Sequence, residues 1–145
     1  MLNYSNGVVE ILGLYSRVKN LYIGVIYRQP DDRAGGFCST EKEFYTAHSK
    51  LGVPLANLSK PSPNIIICGD FNIRHAVWPD GVPSSVSPSQ DKLLLKCLTD
   101  FTNEHFLTQY ILTPTHVENG VLDLVFSNNA QMVHSYNTIK PLRST

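Results

Sequence analysis

Apolar residues fall along the chain in short runs, separated by clusters of Pro, Gly and polar side chains. Val8 to Tyr15 is rich in Val, Ile, Leu and Tyr, and residues 21–27 (LYIGVIY) repeat that composition, so both predict strands. The polar stretch Ser16-Arg17-Val18-Lys19-Asn20 between them has the length of a hairpin connection. Residues 28–40 then read as loop. A helix is expected to begin near Thr40, which can cap it with Glu43 three residues on, and to carry Phe44, Ala47, Leu51 and Leu55 on one face. Ser59 to Asn64, with Pro61 and Pro63, predicts a turn. Ile65-Ile66-Ile67-Cys68 is a continuous apolar run bounded by turn signals, the pattern of a strand buried on both faces.

Residues 79–90, with Pro79, Gly81, Pro83 and Pro88 among serines, predict a long loop. Asp91 to His105 predicts a helix with Leu94, Leu95, Leu98, Phe101 and Phe106 on its apolar side. Val121 to Phe126, entered through Asn119-Gly120, is a further strand, and a short strand is expected near Met132 to Tyr136. The order strand, strand, helix, strand, helix, strand predicts a layered α/β domain with helices packed on sheet faces.

Composition narrows the class without fixing the activity. The 145 residues suit one domain, and 42% hydrophobic against 17% charged residues describes a globular chain. Twelve basic residues balance twelve acidic ones, so net charge gives no case for nucleic-acid binding, and any such role has to come from local clusters. Arg17, Lys19, Arg28 and Arg33 could form one, or could be solvated loop charges. Cys38, Cys68 and Cys97 are widely spaced with no CxxC, which predicts free thiols, no disulfide partner and no zinc site. There is no run of about eighteen apolar residues, and the first residues lack a signal-peptide pattern. An intracellular protein of cytoplasm or nucleus, with no membrane partner, is expected.

The segment with most chemical content is residues 65–78, IIICGDFNIRHAVW, in which an apolar strand delivers Asp70 and Asn72 onto the loop at its C-terminal end. Open α/β sheets bind ligands at such ends. A carboxylate can orient or deprotonate a water, while a neutral amide can donate to a phosphate oxygen without repelling it, a combination suited to phosphodiester cleavage. Gly-Asp-x-Asn is also ordinary turn chemistry, because Asp and Asn side chains bond their own backbone.

With His75 and Trp78 following, the stretch resembles the GDFNxxHxxW segment of the exonuclease III-like endonucleases of non-LTR retrotransposons, a branch of the endonuclease/exonuclease/phosphatase superfamily. Three further segments match in order. Val25-Ile26-Tyr27-Arg28-Gln29-Pro30 is similar to VYRPP, Leu112-Thr113-Pro114-Thr115-His116 to the PTR segment with His116 where Arg is common, and Leu122-Asp123-Leu124-Val125-Phe126 to LDLVF. Together the matches span residues 8–143. The resemblance implies an incomplete four-layer α/β sandwich of two mainly antiparallel sheets flanked by helices. It implies Mg²⁺-dependent cleavage of DNA, the expected partner, leaving a 3′-hydroxyl for reverse transcription.

Residue by residue, the resemblance gives Asp70 the attacking water or the leaving oxygen, Asn72 and Tyr27 the scissile phosphate, and Asp123 the orientation of a histidine. Arg28, His75 and Thr115 become substrate contacts, and no residue is assigned to the metal. Each has a plainer reading. Tyr27 could simply end a strand, Trp78 could be core, Thr115 could shape a turn, and His48, His105 and His134 lie outside any motif. Asp123, between Leu122 and Leu124, must face away from them, toward solvent or a site.

The family's opening strands, with an Asn and a metal-binding Glu, find no counterpart, and Glu10 is not given the metal role. Pro141 to Thr145 resembles the approach to the family's Ser-Asp-His segment. The resemblance therefore implies a domain cut at both ends that binds Mg²⁺ weakly or not at all and does not cleave DNA by itself. Two rivals are a non-catalytic remnant that binds nucleic acid or a partner, and another phosphoesterase of the same superfamily.

Overall fold

The computed structural model describes residues 1–5, 7–30, 49, 63–74, 76–85, 90–116, 119–137 and 139. Eight strands and one α-helix lie within them: β1 (Leu2–Ser5), β2 (Val9–Ser16), β3 (Leu21–Arg28), β4 (Asn64–Asp70), β5 (Ala76–Val77), β6 (Ser84–Ser85), α1 (Gln90–Glu104), β7 (Thr108–Gln109) and β8 (Asp123–Ser127). Six strands form one mixed sheet in the order β1-β2-β3-β4-β8-β7, while β5 and β6 make a separate two-stranded ribbon. The central pair β3–β4 is parallel and every other pair is antiparallel.

Alternation along each strand separates two faces, since successive side chains point to opposite sides of a sheet. In β2, Val9 and Ile11 are buried while Glu10, Leu12 and Leu14 are exposed. In β3, Tyr22, Ile26 and Arg28 are buried and Ile23, Val25 and Tyr27 exposed. The inner face gathers Val9, Ile11, Tyr22, Ile26, Ile65, Ile67, Leu124 and Phe126 into one core with Phe71, Ile73, Trp78 and the helical Leu94, Leu95, Leu98 and Phe101. Each fully buried aliphatic side chain of this kind contributes about 1.5–3 kcal/mol. The outer face carries an apolar band as well, with Leu12, Leu14, Ile23 and Val25 between 39% and 56% exposed.

The predicted hairpin is present. Asn20 closes it with a positive φ of 45°, donating its N–H to the Arg17 carbonyl, and its side-chain Oδ1 accepts from the Tyr15 hydroxyl at 2.8 Å. The Asn20 carbonyl also receives the Asn64 N–H at 2.8 Å, which fixes where β4 enters the sheet. At the same end, Asn128 just past β8 mimics a strand peptide: Oδ1 accepts from Ile65 N at 2.7 Å and Nδ2 donates to Pro63 O at 2.9 Å.

Five of the predicted elements fall where the apolar pattern placed them, with corrections. β4 is not buried on both faces, because Ile66 and Cys68 on the outer face remain half-exposed. Phe106 does not belong to the apolar side of α1. It follows the helix with φ 55° and is 84% exposed, while the Leu107 N–H reaches back to the Thr102 carbonyl at 2.8 Å, so it occupies the left-handed position that ends a helix. The long loop over 79–90 contains a 3-10 turn at Pro79–Gly81 and strand β6. No strand forms at 132–136. A 3-10 turn at Ala130–Met132 is capped instead by the Asn129 side chain, which accepts from Gln131 N, and Tyr136 is fastened by accepting the Leu112 N–H at 3.1 Å. Of the helix expected from Thr40 only Ser49 is among the described residues, and it is helical; Cys38, Arg33 and His48 lie outside them. A second face-to-face sheet of the size the four-layer arrangement requires is not found among the described residues.

Candidate active site

The register of the sheet brings side chains from four strands into one row. Tyr27 on β3 pairs with Asp70 on β4, Asp70 pairs with Asp123 on β8, and Tyr27 pairs on its other side with Glu10 on β2. Directly paired residues share a face, so all four project from the outer face. They do so at one end of the sheet, where β3 and β4 finish and β2 and β8 begin. Asp123 and Tyr27 are exposed and Asp70 is half-buried. Beside the row, an open cavity of about 490 Å³ is lined by Asn3, Ser5, Glu10, Leu12, Val25 and Tyr27.

Gly69 explains why β4 can end there. Its φ is +147°, and a Cβ at this position would lie 1.7 Å from the Ile26 carbonyl oxygen, so β4 approaches β3 more closely than any side chain permits. After Asp70 the chain turns sharply. Asn72 sits in the left-handed region at φ 48°, a conformation Asn tolerates better than most residues. Its backbone N–H donates to Asp70 Oδ1 at 3.1 Å, while the preceding Phe71 N–H donates to the Leu122 carbonyl at 2.9 Å. The Asp-x-Asn spacing is thus both turn chemistry and site geometry.

Two carboxylates directly opposite each other repel. The Asp70 carboxyl is pushed above the usual aspartate range, first by burial and then by the charge of Asp123. The Asn72 backbone N–H, the Asn72 side chain and the charge of His116 pull the other way. His116 belongs to a tight loop closed on itself, in which the N–H groups of Thr115 and His116 both reach the Gly120 carbonyl at 3.0 Å. The Thr115 hydroxyl oxygen accepts from Leu122 N and Asp123 N, each at 3.0 Å, and so anchors the loop at the first residue of β8.

The expected site residues are therefore distributed as follows. Tyr27, Asp70 and Asp123 stand side by side. Asn72 is adjacent but only 5% exposed, with its Nδ2 donating to the Arg28 carbonyl at 2.6 Å. Thr115 holds the backbone under Asp123. Arg28, read as a substrate contact, is completely buried, and its Nη1 donates to the Asn72 carbonyl at 3.0 Å. Strand parity accounts for this, because Arg28 follows Tyr22 and Ile26 on the inner face. His75 lies outside the described residues. Trp78 is core, 7% exposed and edge-on to Phe126. Glu10, which sequence reasoning left out of the site, joins the row. The signal that finds it is its alternation with Val9 and Ile11, which puts it on the face opposite the core.

A family model described as endonuclease-reverse transcriptase matches residues 21–144, from the first residue of β3 through all of β4 and β8. The chain belongs to the endonuclease-reverse transcriptase family. No curated protein matches it. The family match contains Tyr27, Asp70, Asn72, Thr115 and Asp123, and leaves Glu10 and strand β2 outside. Among the described residues no helix is long and apolar enough to cross a membrane. Among them too, no group of three His, Cys, Asp or Glu side chains stands close enough to hold a metal ion.

Proposed function

We propose that this chain is part of a retrotransposon target-site endonuclease, and that the row Tyr27–Asp70–Asp123 is the surface on which it holds a DNA phosphodiester. The observation that carries this reading is the register: three polar side chains from three separate strands, all within the segment the family model matches, emerge side by side where β3 and β4 end and β8 begins. Such strand ends are where α/β sheets place ligands.

The electrostatics support a cation as the third party. Asp70 and Asp123 face each other with like charge, and a phosphate would add to that repulsion. A hard divalent ion such as Mg²⁺ is commonly held by one or two carboxylates together with substrate phosphate oxygens. Two opposed carboxylates suit that donor set, and Asp70 and Asp123 would be the protein's share. The ion, when bound, neutralises charge at the phosphate. Asp70, whose carboxyl is pushed above the usual aspartate range by burial and the charge of Asp123 in the metal-free chain, is suited to take a proton from water or return one to the leaving oxygen. The Tyr27 hydroxyl, exposed next to Asp70, can donate to a phosphate oxygen.

The four-layer arrangement belongs to the same proposal. Leu12, Leu14, Ile23 and Val25 on the outer face are the kind of surface that a second sheet covers in sheet-on-sheet packing.

The test is duplex DNA binding by gel shift, in Mg²⁺ and in EDTA, with the Asp70→Ala variant alongside. Binding that strengthens with Mg²⁺ and loses that gain in Asp70→Ala is expected. Binding indifferent to both would sink the site and favour a passive surface.

A further inference from the structure

We infer that Arg28 is the internal brace of this site, a positioning residue that fixes Asn72, and through it Asp70, without touching the substrate; the inference rests on the proposed function and deepens it. Its basis is a reciprocal pair of hydrogen bonds between the two strand ends that carry the site. Arg28 Nη1 donates to the Asn72 carbonyl at 3.0 Å, and Asn72 Nδ2 donates to the Arg28 carbonyl at 2.6 Å. Residues 44 positions apart in sequence are thereby clasped at the point where β3 and β4 end.

The clasp acts on the one part of the site that the sheet ladder does not hold. β4 stops at Asp70, and the chain beyond it must reverse through a left-handed Asn72. That residue aims its N–H at Asp70 Oδ1 over 3.1 Å. If the Asn72 peptide rotated, this bond would be lost and the Asp70 side chain would be free to change rotamer. Arg28 prevents the rotation from one side by holding the Asn72 carbonyl. The Asn72 amide prevents it from the other by holding Arg28's own backbone. The dipeptide Tyr27-Arg28 thus divides its work by parity: the phenol goes outward to the row and the guanidinium inward to the brace.

Burial argues for this role over a phosphate contact. Arg28 is 0% exposed, and its Nη1 has exchanged water for the Asn72 carbonyl. A buried cation is costly unless its donors are used, and the planar fork of Arg can serve several acceptors at once, which a lysine ammonium does not reproduce. Few other side chains reach that far from the inner face while still donating to a carbonyl beyond the strand end.

The experiment uses the 145-residue chain with Arg28→Met, Arg28→Lys and Asn72→Gly variants; the last keeps the left-handed backbone and removes the side-chain half of the clasp. Amide hydrogen exchange is read by NMR at position 72, as a protection factor, and at Leu98 in the core of α1. In Arg28→Met, protection at Asn72 is expected to fall at least tenfold while Leu98 is unchanged, with Arg28→Lys between the two. Asn72→Gly is expected to show the same local loss, and it decides the matter if Arg28→Met does not fold. Unchanged protection at position 72, or an equal loss at Leu98, overturns the brace.

A second readout separates brace from contact. The dependence of DNA affinity on salt is expected to keep its slope in Arg28→Lys and Arg28→Met, whereas loss of a phosphate contact lowers that slope by about one. A lowered slope overturns the inference. Should the parent chain show no Asp70-dependent DNA binding, the functional reading fails and the exchange data alone decide the brace.

Discussion

Gly69→Ala is the substitution whose consequence the structure specifies most fully. Two penalties add at this position. The first is conformational: φ +147° is a region where a residue with a Cβ costs on the order of 1–3 kcal/mol. The second is steric. The new Cβ would meet the Ile26 carbonyl oxygen at 1.7 Å and the Ile26 amide nitrogen at 2.8 Å, which are backbone atoms that no rotamer change can move. Relief requires β3 and β4 to separate, and overpacking of this kind costs roughly 1–3 kcal/mol more.

The expected loss is therefore about 2–6 kcal/mol, against a total stability on the order of 5–15 kcal/mol for a domain. With a urea dependence of roughly 2 kcal/mol per molar, the unfolding midpoint should fall by about 1–3 M, or cooperative unfolding should vanish. Gly7→Ala is the internal control, since Gly7 has φ +83° but nothing within 4 Å of an added Cβ. Conformational strain alone costs about 1–2 kcal/mol there. Urea titrations followed by circular dichroism compare the two. If both variants fall by the same amount, the close approach of β4 to β3 is wrong, and with it the reason for a glycine before Asp70.

Two further outcomes follow from buried or opposed polar groups. In the folded chain Asp70 titrates above the ordinary aspartate value of 3.8, so the folded state holds more protons than the unfolded one between that value and the raised one, and stability declines as pH rises through the interval. Asp123→Asn removes the second-largest cause of the shift, and is expected to stabilise the metal-free chain at pH 7 on the 0.2–1 kcal/mol scale of cross-strand pairs, with the gain disappearing near pH 3; urea midpoints at both pH values check this, and destabilisation at pH 7 would contradict it. Burial raises the Tyr22 hydroxyl to about 12, and it has no hydrogen-bond partner among the described residues, so Tyr22→Phe should change stability by less than about 1 kcal/mol or increase it, whereas a loss above about 2 kcal/mol in the same titration would reveal a partner.

The parts of this fold that the sequence made legible are those governed by periodicity over five or more residues. β2, β3, β8 and α1 alternate or repeat long enough to declare both their type and their buried side, and β4 announced itself as an apolar run. β1, β5, β6 and β7 escaped because strands of two to four residues contain too few positions to display a period. Their partners choose them, as when Gln109 pairs with Phe126. In the site, Asp123 was readable from its apolar neighbours and Asp70 from its place after a strand. Arg28 was misread because its charge suggested solvent while its parity with Ile26 pointed to the core. Glu10 was passed over because its alternation with Val9 and Ile11 gives only its face, while its place beside Tyr27 comes from the register, which sequence does not display.

Trp78 is the chain's single tryptophan, and it is enclosed by the core edge-on to Phe126 of β8, a few residues downstream of the Asp70 turn. The chain consequently carries an intrinsic optical label at a useful location. Ultraviolet emission excited at the indole arises from one known point, with no background from other tryptophans. Since Phe126 lies on the strand that Asp123 begins, any event that shifts β8 against the turn changes the surroundings of that emitter.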